Sequence, residues 1–442
     1  MKKVITYGTY DLLHYGHIKL LERAKALGDY LIVGVTGDDY DKTRGKINNN
    51  QSLMERIAAV ENLGIADEVI VEEYEGQKID DIKKYEIDVF TVGSDWVGKF
   101  DYLNEYCQVV YLPRTEGVSS SELRAEKNSL KIGIIGETDT ELTSLSKFMR
   151  EVSFVNGVEV ACSGTPVKGV PCVECYDRLL QTVDAVYVAS HPTKHYRDVK
   201  AALLQKKHVL CEAPLALNRQ DCEELMELAA QQGCILMDGI KTAYTTAYNR
   251  LVLMAKTGKI GKILSVDATC TSRKNIENYT EKEWAENWNT ITEWGAPALL
   301  PIFQILGTDY KKKQIVTKCS PNKADFDLFT KIDFLYENAV ASIKVAKAAK
   351  SEGELIITGT DGYIYVPAPW WKTDYFEIRY ENPANNKRYF YQLDGEGIRY
   401  EIVAFAKAIE KGRNTLYIDN RVTKAVCEIM SDFYSGKDVF WI

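Results

Sequence analysis

Short β-branched runs alternate with helical segments twice along this chain, and that rhythm restricts it to wound parallel α/β architecture. In the first series, strand patterns at 4–7, 30–36, 68–71, 89–92 and 109–112 are separated by helical patterns at 18–26, 52–63 and 79–85. A charged stretch from Glu122 to Ser129 closes that series, and Leu130-Lys-Ile-Gly-Ile-Ile-Gly136 opens a second. There, strands at 158–162, 185–189, 208–211 and 235–238 alternate with helices at 142–151, 176–181, 195–205 and 219–232. Beyond Lys241 the rhythm changes to longer alternating strands at 263–272, 315–319, 326–345, 354–358, 363–366 and 375–380, closed by helices at 400–411 and 420–434. The expected fold class is therefore α/β. A Rossmann-like doubly wound parallel sheet precedes a second Rossmann-like domain with a C-terminal α+β antiparallel sheet. For 442 residues, two or three domains are expected, with boundaries at 1–128, 129–245 and 246–442.

The densest cluster of chemistry lies at the start. Val4-Ile-Thr-Tyr-Gly8 ends in a turn, and His14-Tyr-Gly-His17 follows at the head of a helical pattern, using two of only five histidines in the chain. Positions i and i+3 share one helix face, and a helix N-terminus offers unpaired N–H groups and positive dipole character. Two imidazoles there, with Gly16 leaving room for close approach, make a site for triphosphate oxygens. A second segment, Arg114-Thr-Glu-Gly-Val-Ser-Ser-Ser121, follows a strand pattern and opens another helix. Ser119 with Glu122 fits a capping box, and Arg114 supplies a planar fork for phosphate.

Gly8-Thr-Tyr-Asp11, the two histidines, Gly93-Ser-Asp-Trp-Val-Gly-Lys-Phe100 and Arg114-Thr-Glu-Gly117 together resemble the glycerol-3-phosphate cytidylyltransferase family, from Met1 to about Glu126. That resemblance implies transfer of a cytidylyl group from CTP to a polyol phosphate. His14 and His17 would bind the triphosphate, and Lys46 and Arg114 would neutralise phosphates. The nucleotide site would further include Gly8, Thr9, Tyr10, Asp11, Asp95, Thr115, Ser119 and Ser120. Asp11 would fix the loop or approach a Mg²⁺ ion brought by the triphosphate. Asp38, Arg56 and Trp96 would face the substrate. An adenylyl-transferring relative is disfavoured by the full Arg114–Ser121 motif.

Val183-Asp-Ala-Val-Tyr-Val-Ala189, Lys207-His-Val-Leu-Cys-Glu-Ala-Pro-Leu-Ala-Leu-Asn218, Gly359-Thr-Asp-Gly362 and Phe405-Ala-Lys-Ala-Ile409 resemble the Gfo/Idh/MocA family of nicotinamide-dependent oxidoreductases. The resemblance implies an NADPH or NADH site built from Gly136, Thr138, Ser163, His191, Pro192 and Glu212. The chain departs from the family at functional positions. Thr138 and Glu141 replace the later glycines of a dinucleotide turn, Ala213 replaces the family's lysine, and Pro297 its histidine. The strand at 158–162 is followed by no acid for ribose hydroxyls. Ser163, Thr165 and Lys168 are there instead, which favours NADP. Lys241, Tyr244, Tyr248, His191 and His195 are the remaining proton-donor candidates.

The expected whole is a bifunctional enzyme that makes a CDP-polyol from a ketose phosphate. The alternative is a cytidylyltransferase with a non-catalytic oxidoreductase-like scaffold. A net charge of −8 gives no basic footprint for nucleic acid. No apolar run approaches the roughly 20 residues of a membrane span, and the start lacks the apolar core of a signal peptide. Ten scattered cysteines fit a reducing cytoplasm, with Cys172-Val-Glu-Cys175 read as structural. Both families lead us to expect a homodimer or larger assembly.

Overall fold

In a computed structural model the chain divides into two compact units, Met1–Ser129 and Leu130–Ile442. The structure describes all residues except 12, 38–50, 52, 74–75, 114–129, 137–138, 153–154, 156–157, 164–169, 277, 392, 394 and 415–416, and the side chains of 139–145.

The first unit is a five-stranded parallel sheet, β1 Lys3–Gly8, β2 Tyr30–Thr36, β3 Glu68–Glu72, β4 Val89–Gly93 and β5 Gln108–Leu112, in the order β3-β2-β1-β4-β5. Helices α1 Tyr15–Lys25, α2 Leu53–Asn62 and α3 Gln77–Tyr85 connect the strands. Alternate strand residues serve two cores. Val4, Leu31 and Val33 pack with Leu21, Ala24 and Val60, while Ile5, Ile32 and Phe90 pack with Ile82 and Leu103. Burial on both faces is what makes these strands read as continuous apolar runs. The chain winds outward from β1 to β3, then returns to β4 on the other side of β1. A crevice therefore opens beyond the carboxyl ends of β1 and β4.

The second unit begins with another parallel sheet, in the order β11-β10-β9-β6-β7-β8. Its strands are β6 Leu130–Ile135, β7 Val158–Ser163, β8 Cys172–Val173, β9 Ala185–Val188, β10 His208–Glu212 and β11 Leu236–Gly239. Helices α4 Asp139–Val152, α5 Tyr176–Thr182, α6 Pro192–Leu204 and α7 Arg219–Gln232 join them. The switch in winding direction falls between β6 and β9.

A short 3-10 turn, Lys241–Tyr244, and helix α8 Thr246–Lys256 lead into a nine-stranded sheet. Its members are β12 Ile263–Thr271, β13 Lys312–Ser320, β14 Lys323–Leu335, β15 Val340–Ala346, β16 Leu355–Gly359, β17 Gly362–Val366, β18 Tyr375–Tyr380, β19 Lys387–Phe390 and β20 Val439–Trp441. They pair in the order β19-β18-β17-β16-β12-β15-β14-β13-β20. The sheet is mixed, because β12 pairs with β15, and β13 with β20, in parallel. The single strand expected over 326–345 is a hairpin, β14–β15, since residues 336–339 form its turn.

Helices α9 Glu281–Glu286, α10 Thr290–Leu306, α11 Ile398–Lys411 and α12 Asn420–Ser435 complete the unit. Sequence periodicity did not reveal α10. It is apolar nearly all round, and Pro297 and Pro301 lie inside it. A helix of that kind is a core helix, and α10 packs on β12, β14, β15 and α12.

The entry to α10 is held by a buried carboxylate. Both oxygens of Asp327 accept the Ile291 N–H, at 3.2 and 3.1 Å, and one accepts the Thr330 hydroxyl at 2.6 Å. Asn289 accepts the Thr292 N–H at 3.1 Å. Asp327→Ala should lower stability by about 1–3 kcal/mol, because buried donors lose their acceptor; denaturant midpoints read this directly. Burial raises the Asp327 pKa to about 6 from 3.8, against the Thr330 hydrogen bond that lowers it. A folded pKa above the unfolded one makes this group's contribution greatest at low pH and lost as pH rises through about 6. That part of the pH dependence should vanish in the variant.

Candidate active sites

In the first unit the end of β1 turns sharply. Tyr10 takes a left-handed φ of 53°, and its ring folds back over Gly8, where a Cβ would meet Tyr10 Cζ at 2.9 Å. Glycine is therefore required at position 8. Tyr10 is buried, which pushes its hydroxyl pKa up, and it meets His17 edge-on at 5.5 Å. His14 is the N-cap of α1, with its Nδ1 accepting the Gly16 N–H at 3.1 Å. In the neutral ring the proton then sits on Nε2. One turn on, His17 stacks on His14 with centroids 3.9 Å apart and planes 21° apart. Gly8, Tyr10, Asp11, His14, Gly16 and His17 thus meet at the carboxyl end of β1.

Two buried groups brace this turn. Asp11 accepts the Gln51 N–H at 3.0 Å. Arg56, wholly buried on α2, donates from Nη1 to the carbonyls of Thr9, at 2.7 Å, and Thr36, at 2.8 Å. Arg56 was expected to face substrate; it ties the ends of β1 and β2 together. Behind it, Thr36 donates to Glu72 at 3.0 Å, Glu72 pairs with Lys78, and Lys78 lies 4.7 Å over the Tyr7 ring. Tyr7 donates to Asp81 at 2.8 Å. Sequence reading missed this buried polar column. Its signal was a carboxylate, Glu72, directly after the apolar run Val69-Ile-Val71.

Asp95 is exposed in the 3-10 turn after β4, and the Trp96 ring lies 5.8 Å from Phe100. Trp96 is half-buried and packs against the Ile5–Phe90 core cluster, leaving part of the ring exposed. Asp38, Lys46, Arg114, Thr115, Ser119 and Ser120 lie outside the described residues, as do Thr138, Thr165 and Lys168 of the second unit.

In that unit Gly136 follows β6 and is buried, while Ser163 ends β7. Past β9, His191 caps α6, with Nδ1 2.9 Å from the Thr193 hydroxyl, and Pro192 takes the first helical position. His195 is fixed between the carbonyls of Pro214, at 2.8 Å, and Ser190, at 2.6 Å. The Tyr244 hydroxyl donates to the Asp238 carbonyl at 2.6 Å, and Tyr248 donates to Gln304 at 2.7 Å. Both tyrosines and His195 are buried. Their polar atoms serve the fold, which removes Tyr244 as a proton donor.

Glu212, at the end of β10, accepts from Tyr187. Close to it, Glu401 of α11 is buried, and Oε2 has no hydrogen-bond partner among the described residues. Burial, then the Glu212 charge, raises the Glu401 pKa well above the usual carboxylate range. Lys241, part-exposed, lies 3.3 Å from Glu396. Neither Glu396 nor Glu401 was singled out in the sequence, although Glu396 sits between two glycines.

Residues 5–126 match the cytidylyltransferase-like family, and residues 154–240 match the oxidoreductase family with an NAD-binding Rossmann fold. The chain is 53% identical over 130 residues to the glycerol-3-phosphate cytidylyltransferase of Bacillus spizizenii, covering 29% of this chain and 100% of that protein. The chain belongs to the cytidylyltransferase-like family. To that domain it joins an oxidoreductase-family domain of the Gfo/Idh/MocA type. It is also 24% identical over 241 residues to an inositol 2-dehydrogenase of Pseudomonas savastanoi pv. phaseolicola, spanning 54% of this chain and 64% of that protein. A 3-ketoreductase from Actinomadura kijaniata, solved with NADP and TDP-benzene, shares the fold. Its TM-score is 0.63 at 18% identity, covering 71% of this chain and 100% of that one.

Within this cytidylyltransferase-like domain, Arg56→Leu leaves the Thr9 and Thr36 carbonyls buried without their donor. We expect a stability loss of at least about 2 kcal/mol, and hydrogen exchange should report opening first at the ends of β1 and β2.

Proposed function

We propose that the first unit transfers a cytidylyl group from CTP to a polyol phosphate. Glycerol 3-phosphate is the first candidate; a pentitol or hexitol phosphate such as glucitol 6-phosphate is the next. The observation that carries this reading is the stacked His14–His17 pair at the head of α1, in a domain with 53% identity to a whole glycerol-3-phosphate cytidylyltransferase. A phosphate oxygen of the acceptor attacks the α-phosphorus in line, the α–β P–O bond breaks, and pyrophosphate leaves. No covalent step falls to the protein, so catalysis consists of positioning and stabilising developing charge. The His14 Nε2 proton, His17 and the first-turn N–H groups of α1 supply that stabilisation. Among the described residues no group of three His, Cys, Asp or Glu is placed to hold a metal. Asp11, at the turn after β1, would contribute to holding a triphosphate-borne Mg²⁺.

For the second unit we propose reduction of the matching ketose phosphate: dihydroxyacetone phosphate, ribulose 5-phosphate or fructose 6-phosphate. The winding switch between β6 and β9 supports a nicotinamide cofactor beside Gly136, His191 and Glu212, and such a cofactor, when bound, supplies the hydride. This chain's part is to bind the ketose and deliver a proton to the carbonyl oxygen. With Tyr244, Tyr248 and His195 committed elsewhere, Lys241 and His191 are the remaining candidates, and Lys241 is paired with Glu396. That pairing favours a second reading, in which the unit binds a ligand without reducing it. The product, a CDP-polyol, would enter a capsule or teichoic-acid-like polymer, made in the cytoplasm by a homodimer or larger assembly.

His14→Ala and His17→Ala should each lower CDP-polyol formation about 10²–10³-fold; turnover within tenfold of wild type would remove the pair from the mechanism. For the whole chain, CTP, Mg²⁺, NADPH and a panel of ketose phosphates are combined and products read by mass spectrometry. CDP-polyol formed only with NADPH present supports two consecutive activities. Formation only from pre-reduced polyol phosphates supports the second reading.

A further inference from the structure

Three ammonium groups of the second unit converge on one carboxylate. Lys372 Nζ lies 2.7 Å from Glu396 Oε1, and Lys241 and Lys147 lie 3.3 and 3.9 Å from Oε2. The lysines come from separate segments: Lys147 from α4, Lys241 from the turn after β11, and Lys372 from the 3-10 turn Trp370–Lys372. Their side chains are 45, 27 and 32% exposed, so the cluster is open to solvent.

Glu396 is delivered to this place by the backbone. Residues 395–397 all take left-handed φ values of 59, 56 and 93°, which is strained for the non-glycine member. A Cβ on Gly395 would lie 1.7 Å from Glu151 Oε2, so the loop is pressed against α4. There Glu151 is itself paired with Arg399 at 3.1 Å. Partial burial works to raise the Glu396 pKa, but the Lys372 hydrogen bond and the charges of Lys241 and Lys147 prevail and hold it at about 2. Glu396 therefore stays ionised.

One carboxylate does not balance three lysines. Of the other acids nearby, Glu151 is held by Arg399, while Glu212 and Glu401 are buried, and burial pushes both of their pKa values up, which disfavours their charged forms. The cations remain in excess. A single carboxylate between repelling ammonium groups is a poor structural bridge, and a dianion with three acceptor oxygens satisfies the same donors better.

We propose that Lys147, Lys241 and Lys372 form a binding site for a phosphate monoester, with Glu396 as the internal anion that the ligand's phosphate displaces. The lysine geometry alone supports the site. That the phosphate belongs to a ketose substrate rests on the reductase reading above, and displacing Glu396 would release Lys241 for its part in that reaction.

The test is calorimetry on the full chain with inorganic phosphate, ribulose 5-phosphate and unphosphorylated ribulose. Any phosphate bound by the first unit is the component that second-unit variants leave unchanged. Glu396→Gln should tighten phosphate and ribulose 5-phosphate binding about tenfold, and Lys147→Gln and Lys372→Gln should each weaken it about tenfold. Ribulose should respond to none of them. Glu337→Gln, an equal charge change at an exposed site, should have no effect. Equal tightening by Glu337→Gln and Glu396→Gln, or unchanged affinity in both lysine variants, overturns the site. NADPH oxidation separates the two ideas. Lysine-dependent phosphate binding without reduction of any ketose phosphate upholds the site and rejects the reductase reading. Reduction of ribulose 5-phosphate with the same KM in wild type, Lys147→Gln and Lys372→Gln rejects the site and upholds that reading.

Discussion

Parallel pairing of strands is the constraint from which both candidate sites follow. Two parallel neighbours cannot be joined by a tight turn, so a helix must cross between them. Each crossing leaves the carboxyl end of a strand beside the N-terminus of a helix. Four N–H groups per helix are then left without intrahelical partners, gathered on one edge of the sheet. Gly8 and His14 stand at such an edge in the first unit, as do Gly136 and His191 in the second. The two sheets differ in what they place there. The first offers two imidazoles on a braced turn; the second offers carboxylates and lysines close enough to perturb one another.

The supports of these edges are as specific as the edges themselves. Arg56 spends its buried guanidinium on two backbone carbonyls, so the turn after β1 cannot shift without exposing a buried charge to unpaired surroundings. In the second unit Tyr187 stacks on Phe148 at 3.9 Å while its hydroxyl reaches Glu212. That contact links α4, β9 and β10 at the point where the carboxylates meet.

Much of this was legible in the sequence, and the omissions have physical reasons. Strands of the parallel sheets were found because burial on both faces makes them uninterrupted apolar runs between helices. Helix α10 was missed because an all-round apolar helix shows no 3.6-residue contrast and its two prolines read as breakers. The His14–His17 pair was evident from spacing, since three residues on a helix always share a face. Arg56 was assigned to substrate because sequence shows that an arginine lies near a site without showing which way its donors face. Glu401 and Glu396 were invisible for a related reason. Each gains its meaning from groups far away in the chain, Glu212 and Lys147 among them, and nothing local marks the meeting.

The capping role of His14 ties helix and chemistry to one lone pair. As long as Nδ1 accepts the Gly16 N–H, the ring has a fixed tautomer and a fixed place above the first turn. A second proton on that ring would occupy the lone pair, release the cap and place a cation face to face with the His17 ring. Acid would thus unmake the start of α1 in the same event that alters its donor. Acid inactivation of this unit would then be a loss of architecture at one helix end, with the sheet beneath it intact.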